Sequence, residues 1–279
     1  MTVNPMIVSP AEAGMPLDLF LARRLKTSRK QAKRLLDERL VFVNRRRVWM
    51  ARHPLEPKDE VEIPATAGAA SSREVPIPIL YRDAEYVIAN KPPGLPSNGP
   101  NSVEEVLRRV LGQPSLEAVH RLDRDTSGCL WLSLNPAARE TATLLFKEKQ
   151  VTKTYHAIVE GRVRAAGATI TTPIDGQPAT THVKVLGSTP RASHVKVLIE
   201  TGRTHQIRKH LASIQHPVLG DKSYLTRQIT DDRLRRAPRQ MLHASGLAFR
   251  HPGTGQTVRI KAPLPGDFKH MLGALGLTE

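Results

Sequence analysis

HRLDRDTSG, residues 120–128, places two arginines and two aspartates within nine positions. A run so dense in charge ordinarily belongs to a solvated surface. Here it stands between two apolar stretches, residues 116–119 and 129–134, that read as buried strands. The placement asks what the charges serve, and which of Asp123 and Asp125 serves it.

The rest of the chain narrows the answer. Its 279 residues allow one large domain, or a small one beside a medium one. At 39% hydrophobic it can bury a core, and with 4% aromatic residues that core is mostly aliphatic. Forty-two Lys/Arg against 26 Asp/Glu leave a formal charge of +16. Such a balance points to a polyanionic partner, nucleic acid first, with general solubility as the plainer alternative. The single cysteine, Cys129, excludes internal disulfides and cysteine-rich zinc sites and fits a reducing compartment. No run of 18 apolar residues occurs, and the opening MTVNPMIVSPAEAG lacks the blocks of a secretion signal. The expectation is a soluble, cytoplasmic protein that contacts no membrane.

Residues 13–64 read as a small module. Leu17, Phe20, Leu21 and Leu25 share one helical face. A second helix starts at a capping box, Ser28 with Gln31, and sets Ala32, Leu35 and Leu36 against Arg29, Lys30, Lys33 and Arg34. VFVN, a basic turn Arg45-Arg46-Arg47 and a later VEI suggest strand pairing. The module holds thirteen Lys/Arg against seven Asp/Glu, so one face suits phosphates. LDLFLARRL, SRKQAKRLL, VFVN and KDEVEI resemble the S-four-type (αL) RNA-binding module. Residues 65–75, ATAGAASSREV, read as a linker.

Residues 76–279 form a larger unit. YVIA reads as a strand. SVEEVLRRVLG reads as a helix capped by Ser102 and closed by Gly112, with Val103, Val106, Leu107, Val110 and Leu111 inward. NPAARETATLLF starts a helix at Asn135 and Pro136. TYHAIVEG reads as a strand, and the pentapeptide HVKVL, at 182–186 and again at 194–198, predicts neighbouring strands. HQIRKHLASI puts Ile207, Leu211 and Ile214 on one helical face, and HPGTGQ reads as a hairpin turn. Helices and strands neither alternate throughout nor separate, so the fold class is α+β with a mixed, mostly antiparallel sheet.

Three segments of this unit combine charged or aromatic residues with strand-like neighbours: HRLDRDTSG, KTYHAIVEG and TGRTHQIRKHL. Together with NKPPGLP, HPVLGDKSY and LHASGLAFRHP, in this order, they resemble the RluA-type pseudouridine synthase family. The resemblance implies that uracil is detached from its ribose, rotated and rejoined through C5, without a cofactor. That chemistry needs an anion beside the sugar–base junction and a pocket for a flipped base.

By the same resemblance Asp123 is the catalytic carboxylate, and Arg208 pairs with it and keeps it ionised despite burial. Tyr155 stacks on the uracil, with its hydroxyl as a candidate in proton removal from C5, and Ile207 walls the pocket. Arg121 either enters the gap left by the flipped base or touches phosphates. Asp125, before Thr126-Ser127-Gly128, is expected to organise the turn with its side chain. His205 and His210 stand five apart with no glutamate between them, so no metal is expected.

Two departures from the family pattern bear on substrate positioning. CLWLSLN lacks a lysine common near its end, and Leu225 follows Tyr224 where glycine is usual. The partner implied is RNA, with ribosomal RNA ahead of transfer RNA by analogy, and no protein partner is expected. A non-catalytic RNA-binding assembly factor is the rival of another class.

Overall fold

The computed structural model of the chain describes residues 5–37, 40–63, 76–224 and 231–278. The chain divides into two compact units, Met1–Val75 and Pro76–Glu279. The expected linker, 65–75, lies outside the described residues.

In the first unit α1 (Leu17–Arg24) buries Leu17, Phe20 and Leu21. Leu25 caps this helix and is exposed, because the face it shares ends one residue earlier. Helix α2 (Arg29–Asp37) starts at the capping box: Gln31 N donates to Ser28 Oγ at 3.2 Å, and Ser28 N donates to Gln31 Oε1 at 3.3 Å. Four short strands, β1 (Met6–Ile7), β2 (Phe42–Val43), β3 (Arg46–Arg47) and β4 (Glu60–Glu62), pair in the order β1-β4-β2-β3. The arginine triplet is not one turn. Asn44 and Arg45, with φ of 50° and 63°, make the two-residue hairpin turn, and Arg46 and Arg47 begin the next strand. Positive φ at both central residues is what a hairpin of that length demands.

The second unit is built on a ten-stranded sheet among the described residues. Its strands are β5 (Ile79–Arg82), β6 (Tyr86–Lys91), β7 (Glu117–Ala118), β8 (Ser127–Ser133), β9 (Thr152–Glu160), β10 (Gly167–Ile170), β11 (Thr181–Ser188), β12 (Ala192–Ile199), β13 (Leu242–Arg250) and β14 (Thr257–Lys261). The main order is β10-β11-β12-β9-β13-β8-β6-β5, with β14 on β13 and β7 on β8. The HVKVL repeats pair with each other: Val183 faces Val197, Lys184 faces Lys196 and Val185 faces Val195. The palindromic V-K-V core makes an antiparallel match of like with like. HPGTGQ joins β13 to β14 as a hairpin.

Alternation assigns the faces. Val87, Ala89, Leu130, Leu132, Tyr155, Ala157 and Val159 point to one side, where α3 (Val103–Leu111) and α5 (Gln206–Ser213) cover them. Tyr86, Ile88, Cys129 and Trp131 point to the other, under α4 (Pro136–Lys147). Ile158, further along, lies under α6 (Asp232–Arg235) and α7 (Gly266–Ala274). Helix α3 begins as expected, with Glu105 N donating to Ser102 Oγ, and ends at Gly112 in the left-handed region. Its last turn outruns the core, so Val110, expected inside, is 55% exposed.

One parallel contact in this sheet shapes the loop before it. Strands β13 and β8 run parallel through His243–Ser127 and Ala244–Gly128. A Cβ on Gly128, at φ 111°, would sit 2.1 Å from the Ala244 carbonyl oxygen. Only glycine allows this approach, which is why the charged run ends in Ser-Gly.

Candidate active site

The 119–126 loop joins β7 to β8 and is fixed by its backbone. Ser97 Oγ both accepts from Leu122 N and donates to Leu122 O, each at 2.9 Å. Thr126 N donates to the Asp123 carbonyl at 3.1 Å, and Gly94 N to the Arg124 carbonyl at 2.9 Å. Lys91, with no exposed surface, drives its ammonium between the carbonyls of Arg124 (2.8 Å) and Pro92 (2.9 Å). Burial depresses its pKa to about 7, against the pull of Asp125 and Asp123. The NKPPGLP segment, read only as part of a resemblance, is thus the bracket of the loop.

Asp123 stands at the loop's centre with its side chain 29% exposed, where burial is the sequence expectation. Its Oδ2 accepts from Arg208 Nη1 at 2.9 Å, and Gln240 Nε2 lies 3.5 Å from the same oxygen. His205 Nε2 is 3.7 Å from Oδ1. Arg208 is itself held by a fully buried carboxylate: Nε donates to Asp221 Oδ2 at 2.6 Å and Nη2 to Asp221 Oδ1 at 2.8 Å. Its guanidinium also lies 5.0 Å from the centroid of the Tyr224 ring, whose hydroxyl meets His205 Nδ1 at 2.9 Å. Burial alone would lower the arginine's pKa, but the hydrogen bonds and charges of Asp221 and Asp123 outweigh it and raise the value. Arg208 is a permanent cation between two carboxylates.

Helix α5 delivers Arg208. His205 precedes it in the left-handed region at φ 56°. Gln206 locks the first turn, accepting from Thr201 Oγ1 (2.7 Å) and Arg203 N (3.0 Å) and donating to the Thr180 carbonyl (2.9 Å). One turn on, His210 bonds Thr181 Oγ1 and the Thr172 carbonyl. His205 and His210 thus serve different sides of the helix. Ile207 and Leu211 enter the core that holds Tyr155 and Leu122. Tyr155 is 8% exposed. Burial, and after it the negative charge of Asp123, pushes its phenol upward.

Other sequence-predicted residues stand apart from this cluster. The Arg121 side chain is exposed and makes no hydrogen bond or ion pair among the described residues. Asp125 corrects its expectation: the carboxylate is exposed without a hydrogen bond among the described residues, and its carbonyl ties the turn by accepting from Arg239 Nη1 at 2.9 Å. Arg239 also donates to the carbonyls of Gln240 and Leu242 and pairs with Asp267, so it anchors the loop to α7. In the N-terminal unit Arg29 is bound by Asp18 at 2.9 Å while remaining 58% exposed. Lys30, Lys33, Arg45, Arg46 and Arg47 are exposed, and the Arg34 side chain lies outside the described residues.

The residues missed from sequence are Lys91, Ser97, His205, Asp221, Tyr224, Arg239 and Gln240. Two of them have a readable signal nearby. Gly220, at φ 77°, admits the Arg239 carbonyl at 2.0 Å from where a Cβ would stand, so the G-D of HPVLGDKSY marks a close backbone approach beside a buried acid.

Residues 85–213 match the model of the RNA pseudouridylate synthase family, and residues 15–61 match the S4 domain. The chain is 33% identical to ribosomal large subunit pseudouridine synthase C of Salmonella typhimurium, over 98% of this chain and 97% of that protein. It is 32% identical to ribosomal large subunit pseudouridine synthase D of Haemophilus influenzae, over 96% and 93%. Among solved structures, human RNA Pseudouridylate Synthase Domain Containing 4 superposes with a TM-score of 0.63 at 27% identity, covering 72% of this chain and 94% of that one.

Proposed function

The chain belongs to the RNA pseudouridylate synthase family, and from that premise we propose that it isomerises uridines of large-subunit ribosomal RNA through Asp123. The observation that carries the reading is the Asp221–Arg208–Asp123 chain of contacts, which fixes one partly exposed carboxylate whose charge reaches the buried Tyr155 phenol. The N1–C1′ bond of the flipped uridine breaks as the Asp123 carboxylate stabilises the cationic sugar carbon or bonds to it. The freed uracil turns over the Tyr155 ring, C5 bonds to C1′, the C5 proton leaves and N1 takes one up. Atoms and charge balance without a cofactor.

Tyr155 acts at the proton step. In the resting site its phenol stays protonated, held so by burial and by the charge of Asp123. Once that charge is spent on the sugar carbon, the second push vanishes and the phenol ionises more readily, so it can hand its proton to N1 and take the C5 proton in its place. Ile207 closes the apolar side of the pocket. Arg121, exposed and unpaired among the described residues, meets the RNA. Arg29, Lys30, Lys33, Arg34 and Arg45 to Arg47 bind its phosphates from the N-terminal module, residues 13–64, which 65–75 links to the catalytic domain, residues 76–279. The enzyme acts in the cytoplasm; no helix among the described residues is long and apolar enough to cross a membrane. Large-subunit ribosomal RNA is favoured over transfer RNA because both curated relatives above carry it in their names.

The test is Asp123→Asn in a single-turnover assay beside an RNA-binding titration. Product formation should vanish while affinity stays within about three-fold, because affinity comes mostly from phosphate contacts. Near-wild-type turnover would remove Asp123 from the chemistry. Pseudouridine mapping in cells with and without the gene identifies the RNA, and lost sites confined to transfer RNA would overturn the ribosomal assignment.

A further inference from the structure

We propose that His205 reads the 2′-hydroxyl of the target uridine: Nε2 donates to O2′ while that hydroxyl donates to Asp123 Oδ1, so the site selects a ribonucleotide. The proposal rests on Asp123 acting at C1′, as proposed above. The two oxygens of that carboxylate are not equivalent. Oδ2 accepts from Arg208 Nη1 at 2.9 Å and has Gln240 Nε2 at 3.5 Å. Oδ1 accepts no hydrogen bond among the described residues, and His205 Nε2 stands 3.7 Å from it. Oδ1 is therefore the oxygen left to meet the sugar. A separation of 3.7 Å is too long for a hydrogen bond, so His205 does not tie the carboxylate down. It leaves room for one oxygen within about 2.8 Å of both atoms.

The imidazole is aimed at that gap. His205 is held at φ 56° and ψ 27°, a left-handed conformation rare for a residue with a Cβ and concentrated at active sites and ligand clamps. Its Nδ1 edge meets the Tyr224 hydroxyl at 2.9 Å, and the Tyr224 ring in turn packs on the Arg208 guanidinium. With the Nε2 edge facing a carboxylate, the tautomer protonated on Nε2 is favoured, and the Tyr224 hydroxyl then donates to Nδ1. The ring is fixed at one edge and offers an N–H at the other, with its side chain 33% exposed beside Asp123 at 29%. The chemistry of the sugar names the atom that fits. A donor on the ring oxygen would oppose the positive charge which that oxygen shares as the N1–C1′ bond breaks. The 2′-hydroxyl, on the carbon next to C1′, carries no such charge, both donates and accepts, and is what separates RNA from DNA. It alone suits a place between an acceptor, Oδ1, and a donor, Nε2–H.

The test is a cycle of two enzymes and two substrates. The full chain and its His205→Asn variant are each given a fragment of the mapped RNA, made with uridine or with 2′-deoxyuridine at the target position. Asparagine tolerates the left-handed backbone, and its shorter side chain does not reach the gap. Single-turnover rate and affinity are both read. Whatever the missing hydroxyl does to bond cleavage by itself is common to both enzymes and cancels between them. The preference for uridine over 2′-deoxyuridine should be roughly 2- to 12-fold greater in wild type than in His205→Asn, in rate or in affinity, the span of one hydrogen bond. Tyr224→Phe, which releases the Nδ1 edge, should lose part of the same preference.

Equal uridine preference in wild type and His205→Asn, by both measures, overturns the proposal. A variant slowed or weakened alike on both substrates is such a result and would leave His205 a support of Asp123 or a phosphate contact. A wild-type chain that forms pseudouridine and shows no difference in preference removes His205 alone and leaves the Asp123 reading standing. A wild-type chain that forms no pseudouridine on the uridine fragment overturns the proposed reaction, and the affinity ratios still decide the contact.

Discussion

Replacing Asp221 by asparagine should separate the support of the site from its chemistry. The Asp221 side chain has no exposed surface and the Arg208 side chain 7%, so the substitution strips one of two counter-charges from a buried cation. Removing one partner of such a pair costs about 3–5 kcal/mol. The lower end applies, because Asp123 still pairs with Arg208 Nη1 at 2.9 Å and the asparagine oxygen still accepts one N–H. About 3 kcal/mol in a domain of this size lowers Tm by roughly 6–12 °C. The pH dependence has a definite sign. Burial raises the Asp221 pKa, but the hydrogen bonds from Arg208 and Ser223 outweigh it and hold the group below its ordinary 3.8. Its contribution is then complete above 3.8 and lost as pH falls through the lower folded value. Calorimetry of wild type and variant from pH 7 down to about pH 3 should show a gap that is widest at neutral pH and narrows in acid. The variant's single-turnover rate should fall with RNA affinity preserved, because Arg208 has lost the fork that aims it. A Tm within about 1 °C of wild type at pH 7, or an unchanged rate, would refute the claim that Asp221 fixes Arg208.

Lys91→Met should leave the Arg124 and Pro92 carbonyls without their donor, lowering stability by about 1–3 kcal/mol and slowing turnover; a variant with wild-type rate and melting would show that the loop needs no bracket. Tyr155→Phe should keep RNA affinity but slow the product-forming step by roughly 100-fold or more, the scale of a lost acid–base group; full activity in rapid-quench assays would leave only the ring at work. His120 and His243 are held near pKa 4, chiefly by burial, against an ordinary 6.5. Their contribution to stability is full above 6.5 and lost as pH falls toward 4, so Tm should decline across that window, and a flat profile would refute it.

How much of this was legible depends on which forces leave a trace in sequence. Periodicity gave the elements: Val87 and Ala89 against Tyr86 and Ile88 sort to opposite faces of the sheet, as alternation requires. Caps gave their ends, at Ser102, Gly112 and Asn135. Asp123, Arg208, Tyr155 and Ile207 were reached through motif resemblance, and the structure brings them into one neighbourhood from β8's leading loop, α5 and β9. Asp221 was missed because its role exists only through a partner thirteen residues away; the glycine of G-D-K marks a close backbone approach, but nothing in the triplet names Arg208 as the partner of the acid. Asp125 was misread for the opposite reason. The local rule that an aspartate before Thr-Ser-Gly caps its own turn lost to a long-range donor, Arg239, which reaches the carbonyl from 114 residues away.

That last contest shows how the loop is made rigid. Leu122, Asp123, Arg124 and Asp125 are each restrained through main-chain groups, by Ser97, Thr126, Gly94 with Lys91, and Arg239 in turn. None of these contacts uses the Asp123 carboxylate. Its position is therefore set before any side-chain partner engages it, and Arg208 is set independently by Asp221. Two groups fixed by separate scaffolds meet at 2.9 Å without either depending on the other for its place. In the proposed reaction such a site could spend the Asp123 charge on the sugar without collapsing, since Arg208 would keep the Asp221 fork. The orientation of the proposed catalytic carboxylate is thereby carried by preorganised surroundings rather than by the ion pair that the proposed reaction would disturb.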